Sequence, residues 1–399
     1  MALATESSER QPVFDFDFIA GPAILDDVHD AYWKLKEQAP AVFWTPHNGG
    51  HWVVTTARMA VEVLRQPERF SNRMLSIPAT PGQPRLIPES LDPPEHRRYR
   101  DMLHPYFSDK AIAPLAPRIQ MWADRIIDSV AAQGECEFVD EVGSRFPLSV
   151  FMELFGFPLD QLEHYRTLVL DLFKPTSTVQ RRMEVAQEVT GILAGLIAQR
   201  RAEPREDLMS SLVRLDFEGR KLNDEELISI GFLMFAAGLD TVVNALAFGM
   251  RRLGQDDALQ SRLISDPDSV PAMVEELMRR FTFVATPRYV AQDTELSGAR
   301  LREGDMVLVP LAVIGWDDHA NRCPAEVQVD RPNCRHAAFG SGIHTCLGNK
   351  LARLEMTIFY RTWARRIGRF QVENNSALRC RGGTVQALEE LPLKWKKGG

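Results

Sequence analysis

Cysteine is scarce in this chain. Five cysteines (Cys136, Cys323, Cys334, Cys346, Cys380) occur among 399 residues, an odd number and never as Cys-x-x-Cys. That excludes a disulfide framework and a zinc finger and fits a reducing cytosol. Long apolar runs are also lacking: the longest, Ile230 to Leu239, has ten residues, about half of what a bilayer span needs. The stretch from Met1 to Phe18 is polar and acidic, without the basic and apolar regions of a signal peptide. Positive charge is in deficit, with 47 Lys plus Arg against 54 Asp plus Glu and a net charge of -7. A chain built to coat nucleic acid carries the opposite sign. These absences predict a soluble, unanchored, cytoplasmic protein with neither a membrane nor a nucleic acid as partner.

What is present is the ordinary balance of a globular protein with a sizeable core, 45% hydrophobic and 25% charged. Residues 1–20 read as a loose leader. Periodicity predicts helices over Val28–Gln38, Ile112–Ala132, Leu159–Phe173, Thr178–Ala202, Asp224–Leu253 and 346–367. Short strands are expected at Ala41–Trp44, His51–Thr55, Arg288–Ala291 and Met306–Val309, with turns at Gly298 and Gly304, and again in the tail 370–395 around Gly382–Gly383. Six prolines between Pro78 and Pro94 make that stretch an irregular loop. No repeat or linker divides the chain, so 21–399 reads as one mainly α domain with a little β near its two ends.

Chemistry concentrates in four segments. In Phe339-Gly-Ser-Gly-Ile-His-Thr-Cys346-Leu-Gly348, two glycines before a cysteine permit a tight loop, and a helix starting near Leu347 aims its amide donors at the sulfur. Both features lower a thiol pKa and favour the thiolate, the form that binds a metal. A buried cysteine in a turn is the ordinary reading, and it stands for the other four. Here Phe, three Gly, His and Cys at fixed offsets are too specific for it. Glu276-Leu-Met-Arg279 places both charges on one helix face, as do Glu62/Arg65 and Glu95/Arg98. Most such pairs are solvated and worth about 0–1 kcal/mol. In Ala237-Gly238-Leu239-Asp240-Thr241, two polar residues interrupt an apolar helix and need partners. The plain account is a Thr hydroxyl bonded back to the Ala237 carbonyl and an Asp at the helix surface. In Asp92-Pro-Pro-Glu-His96-Arg97-Arg98-Tyr99-Arg100, a basic cluster opens a helix, by default a solvated face.

The cysteine segment resembles the haem-binding signature of the cytochrome P450 family, with every defining position matched, and the resemblance runs from about residue 20 to 395. It is nearest the soluble bacterial branch typified by the camphor hydroxylase, through Gly238-Leu-Asp-Thr-Val-Val-Asn244 and Glu275-Glu-Leu-Met-Arg-Arg-Phe281. The resemblance implies a mainly α, triangular, single-domain haem-thiolate monooxygenase fold of about a dozen helices with small β-sheets. It implies haem b as cofactor, with Cys346 as the iron ligand, framed by Phe339 and Gly348. His96, Arg100, Arg288 and His344 would bind the haem propionates. Asp240 and Thr241 would relay protons to dioxygen, and Glu276, Arg279 and Arg331 would tie a meander loop to the core as a structural cluster.

The implied substrate pocket is lined by Pro84, Leu86, Leu233, Ala236, Ala237, Val284, Thr384 and Val385. Nearly all are apolar and several are small, which suits a compact hydrophobic molecule of terpenoid or norisoprenoid size. The camphor enzyme grips its ketone through a tyrosine before the Asp-Pro-Pro segment. Here that position falls at about Pro84, and no Tyr lies between residues 71 and 98, which puts camphor in doubt. The chain has no flavin or iron–sulfur segment. Electrons are therefore expected from a separate [2Fe-2S] ferredoxin and its NAD(P)H-dependent reductase, docking near Arg97, Arg100, Lys350 and Arg353 on a monomer. A hydrogen-peroxide-driven peroxygenase and a non-catalytic haem ligand-binding or sensor protein are the rival readings, and the acid–threonine pair disfavours both.

Overall fold

The apolar stretch around Phe235 is the middle of a helix three times as long. In the computed structural model, which describes residues 10–80, 85–173, 177–373 and 378–397, a 31-residue helix runs over Asp224–Gly254. Asn223 caps it reciprocally: its side chain accepts from the Glu226 N–H, and Glu226 accepts from the Asn223 N–H, both at 2.8 Å. Three acids fill the first turn, and Arg251 and Arg252 the last, each matching the helix dipole. By length and composition this helix would suffice to cross a bilayer, so the ten-residue count understates it. About half of its apolar window is buried inside the protein, and Asp240, Thr241 and Asn244 interrupt it. It is the central core helix.

The fold is mainly helical with small sheets. The helix Arg145–Phe155 and the long helix Val179–Ala202 pack on the central helix, while Ala116–Ala131 packs on Asn349–Arg366. One apolar core gathers Phe138, Phe146, Phe248, Phe359 and Trp363, and another gathers Phe155, Val189, Leu193 and Phe235. Each such fully buried side chain contributes about 1.5–3 kcal/mol. A five-stranded sheet has the spatial order Val42–Thr45, His51–Val54, Met306–Pro310, Ala285–Val290, Phe70–Ser71. The pair His51–Val54 with Met306–Pro310 is parallel and the others antiparallel. Met306–Pro310 is buried at every position, as the apolar run of a central strand requires. The Arg288 strand starts three residues earlier than expected, at Ala285.

Residues 10–20 are not loose. Phe14, Phe16 and Phe18 alternate with Asp15 and Asp17, a strand period, and Phe18 is 1% exposed. The Phe14 N–H donates to Trp44 O at 2.9 Å, and Arg10 lies 4.0 Å above the Trp44 ring and pairs with Asp305. The helix Arg145–Phe155 has no sequence forecast; its polar residues Arg145, Ser149 and Glu153 lie on one face, and Pro147 stands in its first turn.

Candidate active site

The loop Phe339–Gly348 has a backbone that only glycine accepts. Gly340 and Gly342 take φ of +78° and +80°, the left-handed region, and a Cβ on Gly342 would stand 2.5 Å from Leu64 O. The turn brings the Cys346 N–H to 2.7 Å from Phe339 O, and Gly348 caps the helix Asn349–Arg366. Cys346 keeps accessible surface although protein atoms surround it. Burial pushes its thiol up, and the Gly348 N–H, Arg100 and Arg353 do not outweigh that. The Gly348 N–H lowers the thiol, as the loop-and-helix reading expects, and burial works against it.

Near this loop, basic groups converge in the interior. The His96 and His344 rings lie 4.3 Å apart between centroids, both buried, and neither Nε2 has a hydrogen-bond partner among the described residues. Arg288, 3% exposed, donates from Nη1 to Thr286 Oγ1 at 2.8 Å and Pro287 O at 2.7 Å, and Arg100 donates to Thr345 O. Burial drives His344 down to about 2, with Arg288, His96 and Arg100 adding to it, and burial then Arg100 lower His96. Burial also lowers Arg288 to about 10. The nearby acids are engaged elsewhere: Glu89 accepts from Asn72, and Asp92 from Ser71 and Asn72.

On the central helix, the Thr241 hydroxyl donates back to Ala237 O at 3.0 Å, which leaves its oxygen free to accept. Asp240 is not at the surface. It is 7% exposed, and its Oδ2 accepts from Arg381 Nη2 at 2.8 Å. Burial raises its pKa, against Arg381 and Asn244. The Asn244 side chain also donates to the Asp240 carbonyl at 2.7 Å. Leu233, Ala236 and Ala237 lie on the same helix. Val284 bridges Val385, and the Ala285 N–H donates to Thr384 O at 2.9 Å, so those segments form one wall. Leu86 is held close by, its N–H on Ser90 Oγ at 2.8 Å, with the next amide on Ser229 Oγ of the central helix at 2.9 Å. Pro84 lies outside the described residues.

Glu276 is met by Arg279 from its own helix at 2.8 Å and by Arg331 from the meander at 3.0 Å. Of the four expected docking residues, Arg97 is exposed and pairs with Asp101, Lys350 pairs with Asp109 and Arg353 with Glu275. Arg100 points inward, because its guanidinium finds the Thr345 carbonyl there.

The profile described as "Cytochrome P450" matches residues 148–377, more than half of the chain. The chain belongs to the cytochrome P450 family. The crystal structure of CYP101J2 is similar, at 35% identity and a TM-score of 0.88, over 96% of this chain and 97% of that one. "Probable cytochrome P450 127A1" of Sinorhizobium fredii is 33% identical over 380 residues, 94% of this chain and 91% of the relative. "Cytochrome P450 monooxygenase PikC" of Streptomyces venezuelae is 31% identical, over 97% and 95% of the two chains.

As a cytochrome P450 the chain is a monooxygenase whose family carries haem, and the residues present fit that group. Two orphaned imidazole nitrogens beside the buried Arg288 and the half-buried Arg100 are unfavourable unless anions join them. Two propionates would be such anions, and Cys346 would present an accessible sulfur donor. Sequence reasoning missed two neighbours. Asn72 places Nδ2 3.5 Å from His344 Nδ1, and Arg381 holds Asp240 across 141 residues. Neither lies in a motif, and only folding brings them there.

Proposed function

We propose that this cytochrome P450 hydroxylates a compact hydrophobic molecule, terpenoid or norisoprenoid-like, with dioxygen, taking electrons from a [2Fe-2S] ferredoxin and its NAD(P)H-dependent reductase. The observation that carries the reading is the central helix. It offers an apolar wall at Leu233, Ala236 and Ala237 and, one turn on, a buried acid and a hydroxyl at Asp240 and Thr241. In this reading Cys346 holds the iron of haem b, framed by Phe339 and Gly348. His96, Arg100, Arg288 and His344 bind the propionates. When bound, haem supplies the activation of dioxygen, and a thiolate ligand favours O–O cleavage.

The protein's own part is positioning and proton supply. Asp240 carries the proton, its affinity set by burial against Arg381. Thr241 keeps its oxygen free as an acceptor because its own hydrogen is occupied at Ala237. The apolar residues, with Val284, Thr384 and Val385 opposite, exclude water and orient substrate by shape. The chain acts in the cytoplasm as a soluble, single-domain monomer.

The reduced protein with carbon monoxide is expected to show the thiolate band that gives the family its name, moved to the imidazole range in Cys346→His. An unchanged band in the variant would remove Cys346 as the ligand. NADH consumption with and without ferredoxin and reductase separates a monooxygenase from a peroxygenase and from a non-catalytic sensor.

A further inference from the structure

The central helix borders a second cavity. A space of about 470 Å³ lies between this helix, the helices Arg145–Phe155 and Leu162–Phe173, residues 19–25 and the hairpin of Cys380–Arg381 with Ala387–Leu388. Neither Cys346 nor Thr241 nor any residue expected in the substrate pocket lines it. Its walls are mostly apolar, with Leu148, Val169 and Leu170 from the two flanking helices and Val243 from the central one. Leu25, 38% exposed, and the exposed Glu389 mark where it meets solvent. Its buried charges are one ion pair, Arg381 with Asp240; Ser144, Asn244, Arg166, which is paired with Asp140 and Glu163, and Glu389 also line it. Among the described residues, the hydrogen bond to Asp240 is the one that the Arg381 guanidinium makes, which leaves donors over at the cavity wall.

These features select a ligand class. The volume falls within the roughly 300–1,000 Å³ of small-molecule sites and is many times the ~30 Å³ of a water molecule. Apolar walls give water few partners. The ion pair is neutral as a unit, so a charged guest would bring an uncompensated charge into an apolar site. A neutral acceptor oxygen can instead take a spare N–H of Arg381. We propose that this cavity is a second small-molecule site, taking a compact, neutral, largely apolar molecule with one acceptor oxygen seated on Arg381. The site is argued from this cavity and not from the reaction proposed above, although Asp240 belongs to both. One consequence does rest on that reading: a guest that draws Arg381 toward itself loosens its hold on Asp240 and so alters proton supply.

The test leaves turnover aside. Haem-loaded protein is saturated with 4-phenylimidazole to close the pocket at the iron, and menthone is then titrated calorimetrically. A saturable binding event is expected to persist under the azole. It should weaken at least tenfold in Leu170→Trp, which fills the cavity from a helix that does not carry the ion pair. Val243→Phe fills it from the central helix and serves if the first variant does not fold. The hydrocarbon p-menthane, lacking the acceptor, should bind about two- to tenfold more weakly than menthone. No binding under the azole, or unchanged affinity in the filled variants, overturns the site. A protein that shows no thiolate band with carbon monoxide overturns the functional reading instead, and the menthone titration still decides the cavity.

Discussion

Arg279 Nη2 lies 2.8 Å from Glu276 Oε1, with the two side chains 0% and 1% exposed. Arg331 reaches the same carboxylate while 4% exposed, so one anion serves two buried cations. Arg279 also spans Gly315 O at 2.9 Å, Pro324 O at 2.8 Å and Glu326 O at 2.7 Å, which ties the meander to the helix Val270–Arg280. Glu276→Ala would leave both guanidiniums uncompensated, at a cost of about 3–5 kcal/mol. The expected outcome is loss of folded protein, or a urea midpoint far below wild type, with Glu276→Gln in between. The same i,i+3 spacing at Glu95/Arg98 makes no such bond. Glu95 pairs with Arg85 at the surface, and Arg98 with Glu218. Glu95→Ala is expected to change stability by about 0–1 kcal/mol, and a large loss there would undo the contrast.

Glu275, next in sequence, gives an acid-dependent prediction. Burial would raise its pKa, but hydrogen bonds from His336 and Arg353 hold it down, from an ordinary 4.5 to about 2. A carboxylate depressed in the folded state stabilises the protein above its unfolded pKa. That contribution is lost as pH falls through the folded value. Glu275→Gln should therefore be weaker than wild type at pH 7, on the order of 2 kcal/mol with its partial exposure allowed for. The gap should narrow between about pH 4.5 and 2. Unfolding curves across that range would show it, and a gap independent of pH would mean that the pairing is not ionic.

Thr241→Ala is expected to leave haem and substrate binding intact while NADH consumption yields hydrogen peroxide in place of product. Among the described residues its side chain makes one bond, to the helix's own carbonyl, so stability should scarcely move. Asp240→Asn should instead slow the whole cycle, about 10²-fold on the scale of general acid catalysis. It should also lower the melting temperature, because Arg381 then lies buried beside a neutral amide. Wild-type rate and yield in both variants would show that the relay is wrongly placed.

The pattern of what was legible follows from range. The cysteine loop, its two glycines and the polar pair on the central helix are local, and the family resemblance carried by these contiguous motifs picks them out. The helix Val179–Ala202 is likewise local, with Thr178 as its cap. The strand Ala285–Val290 was caught only in part, since Pro287 sits in its middle and its buried, mostly apolar pattern lacks alternation. Arg381 was beyond reach, because nothing near a lone arginine in a tail strand announces an acid on a distant helix. At Cys346 the loop and the helix amides are visible in sequence, whereas the burial that opposes them is not.

Camphor is expected to be a poor substrate, and a larger apolar ring compound with a side chain a better one. No Tyr occurs between residues 71 and 98, and Ala236 and Ala237 leave the wall of the central helix shallow. Losing one hydrogen bond to a ketone costs about 0.5–1.5 kcal/mol, about two- to tenfold in affinity. Loss of orientation is the greater effect, since a small globular ketone has little other shape to fix one pose. An ionone has a ring to fill the space beside the alanines and a chain to lie along Val284 and Val385. Titrating camphor and an ionone into the ferric protein, and comparing spin shift and product yield, decides between them. Tight camphor binding with a single hydroxylated product would mean that another donor has taken the tyrosine's place, and the pocket would then be read by hydrogen bonding before shape.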